Sequence, residues 1–346
     1  MLKKNRLLIR ADSSEVIGSG HIMRCIAIAQ SWIFTGGEVT FCCKVISQKL
    51  RKRLITEGFN VYMISESDIE IGSVQDGKCL RLLSEELNAD TVIIDGYHFG
   101  EEFQKELSKR ESTFIVLDDF VHSSFYYADI VINRSLKALD YDYSNKLPKT
   151  QLLLGPEYTF LRREFKKYSD LKKKISENPR NIMVTFGGAD PQNATSLVVD
   201  ALNVIKELRL NIKILIGSDN PHLNTIKQKS VCSHHEIEII KDQKDVSVVM
   251  NWADMAITAG GTTMNELLFM GVPSISIKTA PNQRALPLYD EVYNATWYVG
   301  EISNMSNYIL SNYTLKLLKN RKARRLMSDN GMKLIKYREF RDIVKI

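Results

Sequence analysis

The stretch RLLIRADSSEVIGSGHIMRC (residues 6–25) decides the fold class of this chain. An apolar run leads into a loop with glycines at positions 18 and 20, and apolar residues then recur at helical spacing from Ile22 onward. Strand, glycine turn and helix in this order open the doubly wound α/β folds, whose ligands bind at the carboxyl ends of the strands. The dinucleotide fingerprint G-x-G-x-x-G needs a glycine where this chain has Met23, and the chain contains no P-loop motif. The stretch therefore predicts a Rossmann-like domain whose ligand belongs to neither of those classes.

The same alternation of short apolar runs and helical segments continues through the chain, which is typical of parallel sheets covered by helices. A lysine-rich segment interrupts it, so we predict an N-terminal domain at 1–165, a linker at 166–180, a second Rossmann-like domain at 181–320 and a C-terminal helix at 321–346 that packs back on the N-terminal domain. Two doubly wound domains facing a cleft are the predicted architecture. The runs NIMVTF, IKILIG, EIEII, MAITAGG and PSISIK are predicted strands of the second half. Those of the first half are Leu7–Arg10, Val39–Lys44, Val61–Ile64, Thr91–Asp95, Thr113–Leu117 and Ile130–Asn133.

Composition narrows the class of protein. The 346 residues are 44% hydrophobic and 25% charged, with a formal net charge of +6, which is ordinary for a globular protein. No apolar run approaches the roughly 18 residues that cross a bilayer, and the first residues do not form a secretory signal. The basic runs lack interleaved aromatic residues, so they predict solvated faces. We expect a cytoplasmic monomer with no nucleic-acid or membrane partner and, given five cysteines, reduced thiols.

Three glycine turns lead into predicted helices. They are Gly18 to Gly20 before His21, Gly187-Gly188 before Asn193, and Gly260 to Thr263 before Asn265 and Glu266. Such turns expose backbone N–H groups and the positive end of a helix dipole, which suit phosphate. Each turn taken singly also occurs without any ligand, but together they favour a site. In one interpretation, loop amides with Thr262 and Thr263 bind a diphosphate while Glu266 accepts hydrogen bonds from ribose hydroxyls; in the other, Glu266 only complements the helix dipole.

His21 stands where the first glycine loop becomes a helix, and three interpretations remain open. The side chain is a core histidine, or it pairs with Cys25 one turn away as a nucleophilic couple, or it is a general base acting on water. The positive potential of a helix N-terminus favours a neutral imidazole, which can accept a proton. This favours the general base.

Carboxylates follow several predicted strands. Asp12 follows the first, Asp95 ends the fourth with Tyr97 just beyond, and Asp118-Asp119 close the fifth. Strand ends of this kind line the ligand cleft of doubly wound folds. Acidic residues at these positions also serve as helix caps or loop hydrogen-bond acceptors, and both interpretations stay open.

Six blocks of the chain resemble a known family in order and spacing. That family is UDP-2,4-diacetamido-2,4,6-trideoxy-β-L-altropyranose hydrolase of pseudaminic acid biosynthesis, and the resemblance spans roughly Leu8 to Gln283. A more distant similarity is to the MurG-like glycosyltransferases, whose GT-B fold has two facing Rossmann-like domains. The blocks are IRADSSEVIGSGHIMRCIAIA (9–29), VIIDGYHF (92–99), VLDDFVHSSFYYADIVINRS (116–135), LLGPEYTFLRREF (153–165), VTFGGADPQNAT (184–195) and AITAGGTTMNELLFMGVPSISI (256–277) with NQ (282–283).

The resemblance implies hydrolysis of a UDP-sugar at the anomeric carbon with inversion, releasing UDP, without a cofactor or an obligatory metal. It implies that His21, in a GxGHxxR motif, is the base for the attacking water and that Tyr97 lines the same site, so these two are the predicted catalytic residues. It further implies that the GGTTMNE block binds UDP, with Glu266 at the ribose. A glycosyltransferase and a non-catalytic UDP-sugar binding protein are the alternatives. The predicted substrate-binding residues are Asp12, Gly18, Gly20, Arg24, Gly187, Gly188, Asn193, Gly261, Thr262, Thr263, Asn265, Glu266, Asn282 and Gln283.

Overall fold

The structure is a computed structural model, and it describes residues 5–14, 17–65, 68–170, 172–217 and 220–344. Contacts divide the chain into two compact units: unit 1 is Met1–Arg163 with Arg338–Ile346, and unit 2 is Glu164–Tyr337. The segment 166–180, which we predicted as a linker, lies inside unit 2. No helix in the described part of the chain is long and apolar enough to cross a lipid bilayer.

Unit 1 is built on a parallel sheet that has seven strands within the described residues, in the order β3-β2-β1-β4-β5-β6-β7. β1 and β4 are almost entirely buried, as expected for central strands covered on both faces. The strands are β1 (Arg6–Ala11), β2 (Glu38–Cys43), β3 (Asn60–Met63), β4 (Thr91–Asp95), β5 (Thr113–Asp118), β6 (Ile130–Asn133) and β7 (Gln151–Leu154). The helices between them are α1 (Gly20–Phe34), α2 (Gln48–Thr56), α3 (Val74–Glu86) and α4 (Glu101–Leu107).

β1 lies between β2 and β4, so the strand order reverses there. Such a switch point opens a crevice at the carboxyl ends of the strands. The register pairs Ala11 with Asp95, which brings the loop after β1 beside the end of β4. α1 follows that loop, and Gly36, with φ of +83°, ends the helix in a left-handed conformation that glycine adopts without strain.

Unit 2 repeats the architecture with six parallel strands in its described part, in the order β10-β9-β8-β11-β12-β13. Its switch point is β8, between β9 and β11. The strands are β8 (Asn181–Thr185), β9 (Asn211–Ile216), β10 (Glu236–Lys241), β11 (Met255–Ala259), β12 (Ser274–Lys278) and β13 (Trp297–Glu301). The helices are α5 (Ala194–Val204), α6 (Leu223–Val231), α7 (Val246–Trp252), α8 (Thr262–Phe269), α9 (Leu286–Glu291), α10 (Asn307–Lys319) and α11 (Arg321–Leu334).

The end of the chain belongs to unit 1. α12 (Phe340–Val344) packs against α1, where the Phe340 ring lies 6.2 Å from that of Trp32. The Ser31 hydroxyl accepts a hydrogen bond from the Phe340 amide at 2.8 Å and donates one to Glu339 at 2.8 Å. A buried aromatic pair and this hydroxyl therefore fix the last helix.

Candidate active site

The first predicted site residues lie in the loop between β1 and α1. Gly18 has φ of +76°, and a Cβ on Gly18 or Gly20 would meet no described atom within 4 Å. Ser19 is the N-cap of α1, but its side chain makes no capping hydrogen bond. His21 is the second residue of the helix and is 7% exposed. The loop therefore leaves open space beside the start of α1, next to the imidazole.

His21 is oriented by a carboxylate at the end of β4. Its Nδ1 lies 2.5 Å from Oδ1 of Asp95, which is fully buried and 74 positions away in the sequence. Burial alone would raise the pKa of Asp95, but the charge of Arg24 and hydrogen bonds from Arg24 and His21 hold it far below its ordinary range. Because an ionised carboxylate only accepts hydrogen bonds, the proton is assigned to Nδ1. Nε2 then carries a lone pair, and within the described chain it has no hydrogen-bond partner.

Arg24 joins two of the strand-end carboxylates. Its guanidinium donates through Nε and Nη2 to the two oxygens of Asp95 at 2.5 Å, and through Nη1 to both oxygens of Asp119 at 2.8 Å. The side chain is almost fully buried. These contacts position Asp95, and substrate binding by Arg24 stays a prediction.

Tyr97 completes the network two residues beyond β4. Its ring lies 4.8 Å from the His21 imidazole in an edge-to-face arrangement, and its hydroxyl donates to Asp119 at 2.7 Å. The ring is half-buried and packs on Phe120 at 4.6 Å. The structure therefore brings together His21 and Tyr97, the two residues predicted as catalytic.

Cys25 contacts the carboxylate and not the histidine. Its Sγ donates to Oδ2 of Asp95 at 3.4 Å, and the side chain is fully buried. Burial raises the pKa of the Cys25 thiol well above its ordinary value, and the charge of Asp95 raises it further. A protonated thiol is a poor nucleophile, so the geometry does not support the Cys25–His21 couple.

Asp12 belongs to a different network. Its carboxylate accepts from Arg10 at 2.6 Å and from the backbone amides of Lys44 and Val45 at 2.7 and 2.9 Å. Burial would raise its pKa, but the nearby imidazole of His98 and the charge of Arg10 lower it. These contacts hold the loop after β2 against β1, and substrate binding by Asp12 stays a prediction.

Sequence reasoning placed Asp95, Asp118 and Asp119 at strand ends but gave them no role. Asp95 pairs with His21 because β1 and β4 are neighbours, and Asp119 reaches Arg24 because β5 lies beside β4. The sequence signal that could have indicated these residues is an acidic residue at the end of each of two consecutive apolar runs. His122, whose Nδ1 lies 2.8 Å from Oδ1 of Asp118, was not among the residues that the sequence singled out.

The site residues predicted in unit 2 lie at the carboxyl ends of the adjacent strands β8, β11 and β12. After β8, Gly187 has φ of +85° and Gly188 accepts a hydrogen bond from the Gly217 amide at 2.9 Å. Asn193, with φ of +53°, is the N-cap of α5. The Asp190 carboxylate accepts from the amides of the first two residues of α5 at 2.9 and 2.8 Å. We predicted that these backbone amides bind phosphate, but in the structure they already donate hydrogen bonds to Asp190.

The turn after β11 leads into α8 without a side-chain cap. Gly261 is the N-cap, and Thr262 and Thr263 are half-buried in the first turn. Glu266 and Asn265 are buried one turn further, where Asn265 accepts a hydrogen bond from the Tyr289 hydroxyl at 3.1 Å. The helix start thus offers two hydroxyls and the positive end of a dipole to a ligand.

The loop after β12 lies against the loop after β8. Gln283 folds back onto Thr279, whose amide donates to its Oε1 at 2.9 Å, while Asn282 is exposed. Gln192 donates to the Thr279 carbonyl at 2.8 Å. Side-chain amides therefore connect two of the three loops that hold the predicted ligand residues of unit 2.

Comparison with known sequences identifies several relatives. Residues 181–345 match the family model of the glycosyltransferase family 28 C-terminal domain. An uncharacterized protein of Methanocaldococcus jannaschii is 28% identical over 81% of this chain, which spans only 57% of that protein. The UDP-2,4-diacetamido-2,4,6-trideoxy-beta-L-altropyranose hydrolase of Campylobacter jejuni subsp. jejuni is 26% identical over 84% of this chain and 95% of its own length.

Solved structures share the fold. The crystal structure of MurG from Acinetobacter baumannii matches with a TM-score of 0.64 at 14% identity, covering 99% of this chain and 98% of that chain. At this identity the likeness concerns the fold alone. It confirms the predicted GT-B-like class with two Rossmann-like units. Residues 181–345 therefore match the glycosyltransferase family 28 C-terminal domain, and most of the chain is similar to a UDP-2,4-diacetamido-2,4,6-trideoxy-beta-L-altropyranose hydrolase.

Proposed function

We propose that the protein hydrolyses a UDP-linked 2,4-diacetamido-2,4,6-trideoxy sugar at its anomeric carbon, with inversion, releasing UDP and the free sugar in a pathway of the pseudaminic acid type. The similarity to the Campylobacter jejuni hydrolase supports the substrate class. The observation that carries the proposal is the His21–Asp95 pair, which fixes the imidazole through Nδ1 and leaves Nε2 without a partner in the described chain.

In the proposed reaction, Nε2 of His21 removes a proton from water as the water oxygen bonds to the anomeric carbon. The bond from that carbon to the diphosphate oxygen breaks on the opposite face, and UDP leaves with the electron pair. Asp95 stabilises the imidazolium that forms, in the manner of the carboxylate in a catalytic triad. Attack opposite to the leaving group inverts the anomeric configuration. General-base catalysis of this kind contributes about 10²–10⁴-fold.

Unit 2 supplies nucleotide binding in this proposal. The uncapped start of α8 at Gly261, with the Thr262 and Thr263 hydroxyls, would bind the diphosphate. Glu266, one turn further, would accept hydrogen bonds from the ribose. Gly187, Gly188, Asn193, Asn282 and Gln283 would contribute the surrounding surface, since they lie on the adjacent loops.

Sugar transfer to a hydroxyl acceptor is the second candidate, because residues 181–345 match a glycosyltransferase domain. The same base would then remove the proton of an acceptor alcohol. Steady release of UDP in the absence of any acceptor distinguishes the hydrolase from the transferase. Binding without turnover would instead indicate a UDP-sugar binding protein.

Real-time proton NMR tests the proposal. We expect the protein to release UDP and free sugar from the UDP-linked diacetamido-trideoxy-altrose, with the inverted anomer appearing first, and to leave UDP-N-acetylglucosamine unchanged. His21→Asn should abolish turnover while UDP affinity stays at the parent level. Wild-type turnover by His21→Asn, or unchanged spectra with both sugars, would contradict the proposal.

A further inference from the structure

A second histidine–aspartate pair lies at the end of β5. Asp118 is the last residue of the strand, and Nδ1 of His122 lies 2.8 Å from its Oδ1. The His122 side chain is 2% exposed. Neither residue has a role in the reaction proposed above.

The other nitrogen of this imidazole lacks a partner. Nε2 of His122 is buried and makes no hydrogen bond within the described chain. Buried polar atoms of folded proteins are almost always hydrogen-bonded, and an unpaired one is costly. A bound molecule that supplied a hydrogen bond to Nε2 would remove this cost.

Asp118 does not depend on His122 for its position. Its carboxylate accepts hydrogen bonds from the backbone amides of the next three residues at 2.7 to 3.2 Å. It also accepts from the hydroxyls of Tyr126 at 2.5 Å and Tyr143 at 2.8 Å. Since five other donors fix the carboxylate, the bond to Nδ1 orients the imidazole and is not needed to hold Asp118.

The residue before the histidine has a strained backbone. Val121 has φ of +59°, a left-handed conformation that is rare for a β-branched residue. Strain of this kind persists where the surroundings enforce it, and it is concentrated at ligand-binding and active sites. The strained backbone of Val121 and the unpaired nitrogen of His122 therefore both cost stability, and the two residues are adjacent.

This loop is next to the candidate catalytic residues. The Tyr97 ring lies 4.8 Å from the His21 imidazole and 6.1 Å from the His122 imidazole, measured between ring centroids. One aromatic ring thus separates the proposed base from the unpaired nitrogen. A sugar held beside His21 and Tyr97 would be close enough for one of its substituents to approach His122.

The protonation of the pair sets the chemistry of the ligand group. Burial would raise the pKa of Asp118, but hydrogen bonds from His122, Tyr126 and Tyr143 hold it well below its ordinary range. The ionised carboxylate accepts a hydrogen bond from Nδ1–H of His122. In the neutral imidazole with its proton on Nδ1, Nε2 is a hydrogen-bond acceptor. A ligand group that complements Nε2 is therefore a hydrogen-bond donor, an O–H or N–H group.

We propose that His122 is a substrate-binding residue whose Nε2 accepts a hydrogen bond from a hydroxyl or amide N–H substituent of the sugar. The inference rests on the function proposed above, and it concerns recognition of the sugar and not of UDP. It makes His122 a determinant of sugar specificity, oriented by Asp118 as His21 is by Asp95.

Calorimetry on the non-hydrolysing His21→Asn protein tests the inference with two ligands, UDP and the UDP-linked diacetamido-trideoxy sugar. His122→Asn keeps a donor near the Nδ1 position and removes Nε2. We expect it to weaken binding of the UDP-sugar by about 5- to 30-fold while UDP affinity is unchanged. His122→Gln returns a polar group near Nε2 and should recover part of the loss. Tyr143→Phe, which removes another hydrogen bond to Asp118, is the matched control and should leave both affinities unchanged.

Unaltered UDP-sugar affinity in His122→Asn would overturn the inference, as would an equal loss of UDP affinity, because the residue would then act through stability alone. If the parent His21→Asn protein binds UDP but not the UDP-sugar, the proposed function itself fails. Nitrogen-15 NMR of labelled histidines in that parent protein gives a test without a substitution at position 122. The Nε2 resonance of His122 should shift on addition of the UDP-sugar and stay in place with UDP, and no shift with either ligand would contradict the inference.

Discussion

Asp95 is the residue on which the geometry of the candidate active site depends. It accepts from Nδ1 of His21, from the guanidinium of Arg24 and from the thiol of Cys25. A single buried carboxylate thus fixes the tautomer of the proposed base and is itself held by a buried cation. Substitution of Asp95 should therefore disturb both the orientation of His21 and the position of its proton.

Asp95→Asn should lower kcat by about 10²–10⁴-fold, because an amide neither stabilises an imidazolium nor fixes the proton on Nδ1. UDP affinity, measured by calorimetry, should not change. Asp76→Asn is the matched control, since Asp76 is a buried carboxylate of unit 1 that pairs with Arg10 and has no described contact with His21. It should lose stability and keep kcat. Equal rates for the two variants would refute the role of Asp95.

Cys25→Ala separates a base mechanism from a nucleophilic one. Because Cys25 is buried and protonated against Asp95, we expect kcat to stay close to the parent value. The variant should lose about 0.5–3 kcal/mol in the free energy of unfolding, as other core truncations do. Steady-state UDP release and urea titration measure the two quantities. Loss of all turnover in a folded Cys25→Ala variant would instead support the Cys25–His21 nucleophilic couple.

Strand ends and helix starts hold the candidate functional side chains in both units. In unit 1, carboxylates at the ends of β4 and β5 are buried in networks of hydrogen bonds. In unit 2, α8 presents Asn265 and Glu266 and packs against α11. Changes in the packing of α8 should therefore affect both stability and the proposed nucleotide binding.

Acid should destabilise unit 1. The pKa values of Asp95, Asp118 and Asp119 all lie below the unfolded-state value of 3.8, since neighbouring cations and hydrogen bonds outweigh burial. The unfolded state then binds protons at a higher pH than the folded state, so stability falls as pH drops below about 4. Fluorescence of Trp32, after Trp252→Phe and Trp297→Phe, reports urea unfolding of this unit between pH 3 and 6. Asp118→Asn should weaken the dependence of the unfolding free energy on pH. A parent protein whose unfolding free energy is constant over this pH range would contradict the prediction.

Gly331→Ala tests the packing of α11 on α8. A Cβ at Gly331 would lie 2.9 Å from the Leu268 carbonyl oxygen and 3.1 Å from its Cα, so the helices must separate. Overpacking of this kind costs about 1–3 kcal/mol in the free energy of unfolding, and UDP affinity should fall as α8 moves. Lys333→Ala, on the exposed side of the same helix, is the control. Unchanged UDP affinity in a destabilised Gly331→Ala would remove α8 from the proposed nucleotide site.

At the scale of the whole molecule, the sequence predicted the class of both units because buried parallel strands are continuous apolar runs. Six strands of unit 1 and five of unit 2 lie within two residues of their predicted bounds. β7 and β13 were missed, since both are edge strands with half-buried residues and no clear apolar pattern. Their short runs could not be told from loops by local pattern alone.

The site was only partly predictable for a related reason. His21 and Tyr97 lie in local motifs, whereas the bond from His21 to Asp95 joins residues 74 positions apart. That bond exists because β1 pairs with β4 as well as with β2. The pattern of apolar residues does not encode this strand order. The hydrogen bonds from the first amides of α5 to Asp190 could not be predicted from the sequence either, because they depend on the path of the loop after β8.

Hydrolysis in water enriched in oxygen-18 tests the central claim most directly. If His21 activates water for attack at the anomeric carbon, the label must enter the C1 hydroxyl of the free sugar, and the UDP released must contain none. Mass spectrometry of both products after a single turnover gives the answer. Label in the UDP phosphate would place the attack at phosphorus and contradict the account, as would a sugar product without label.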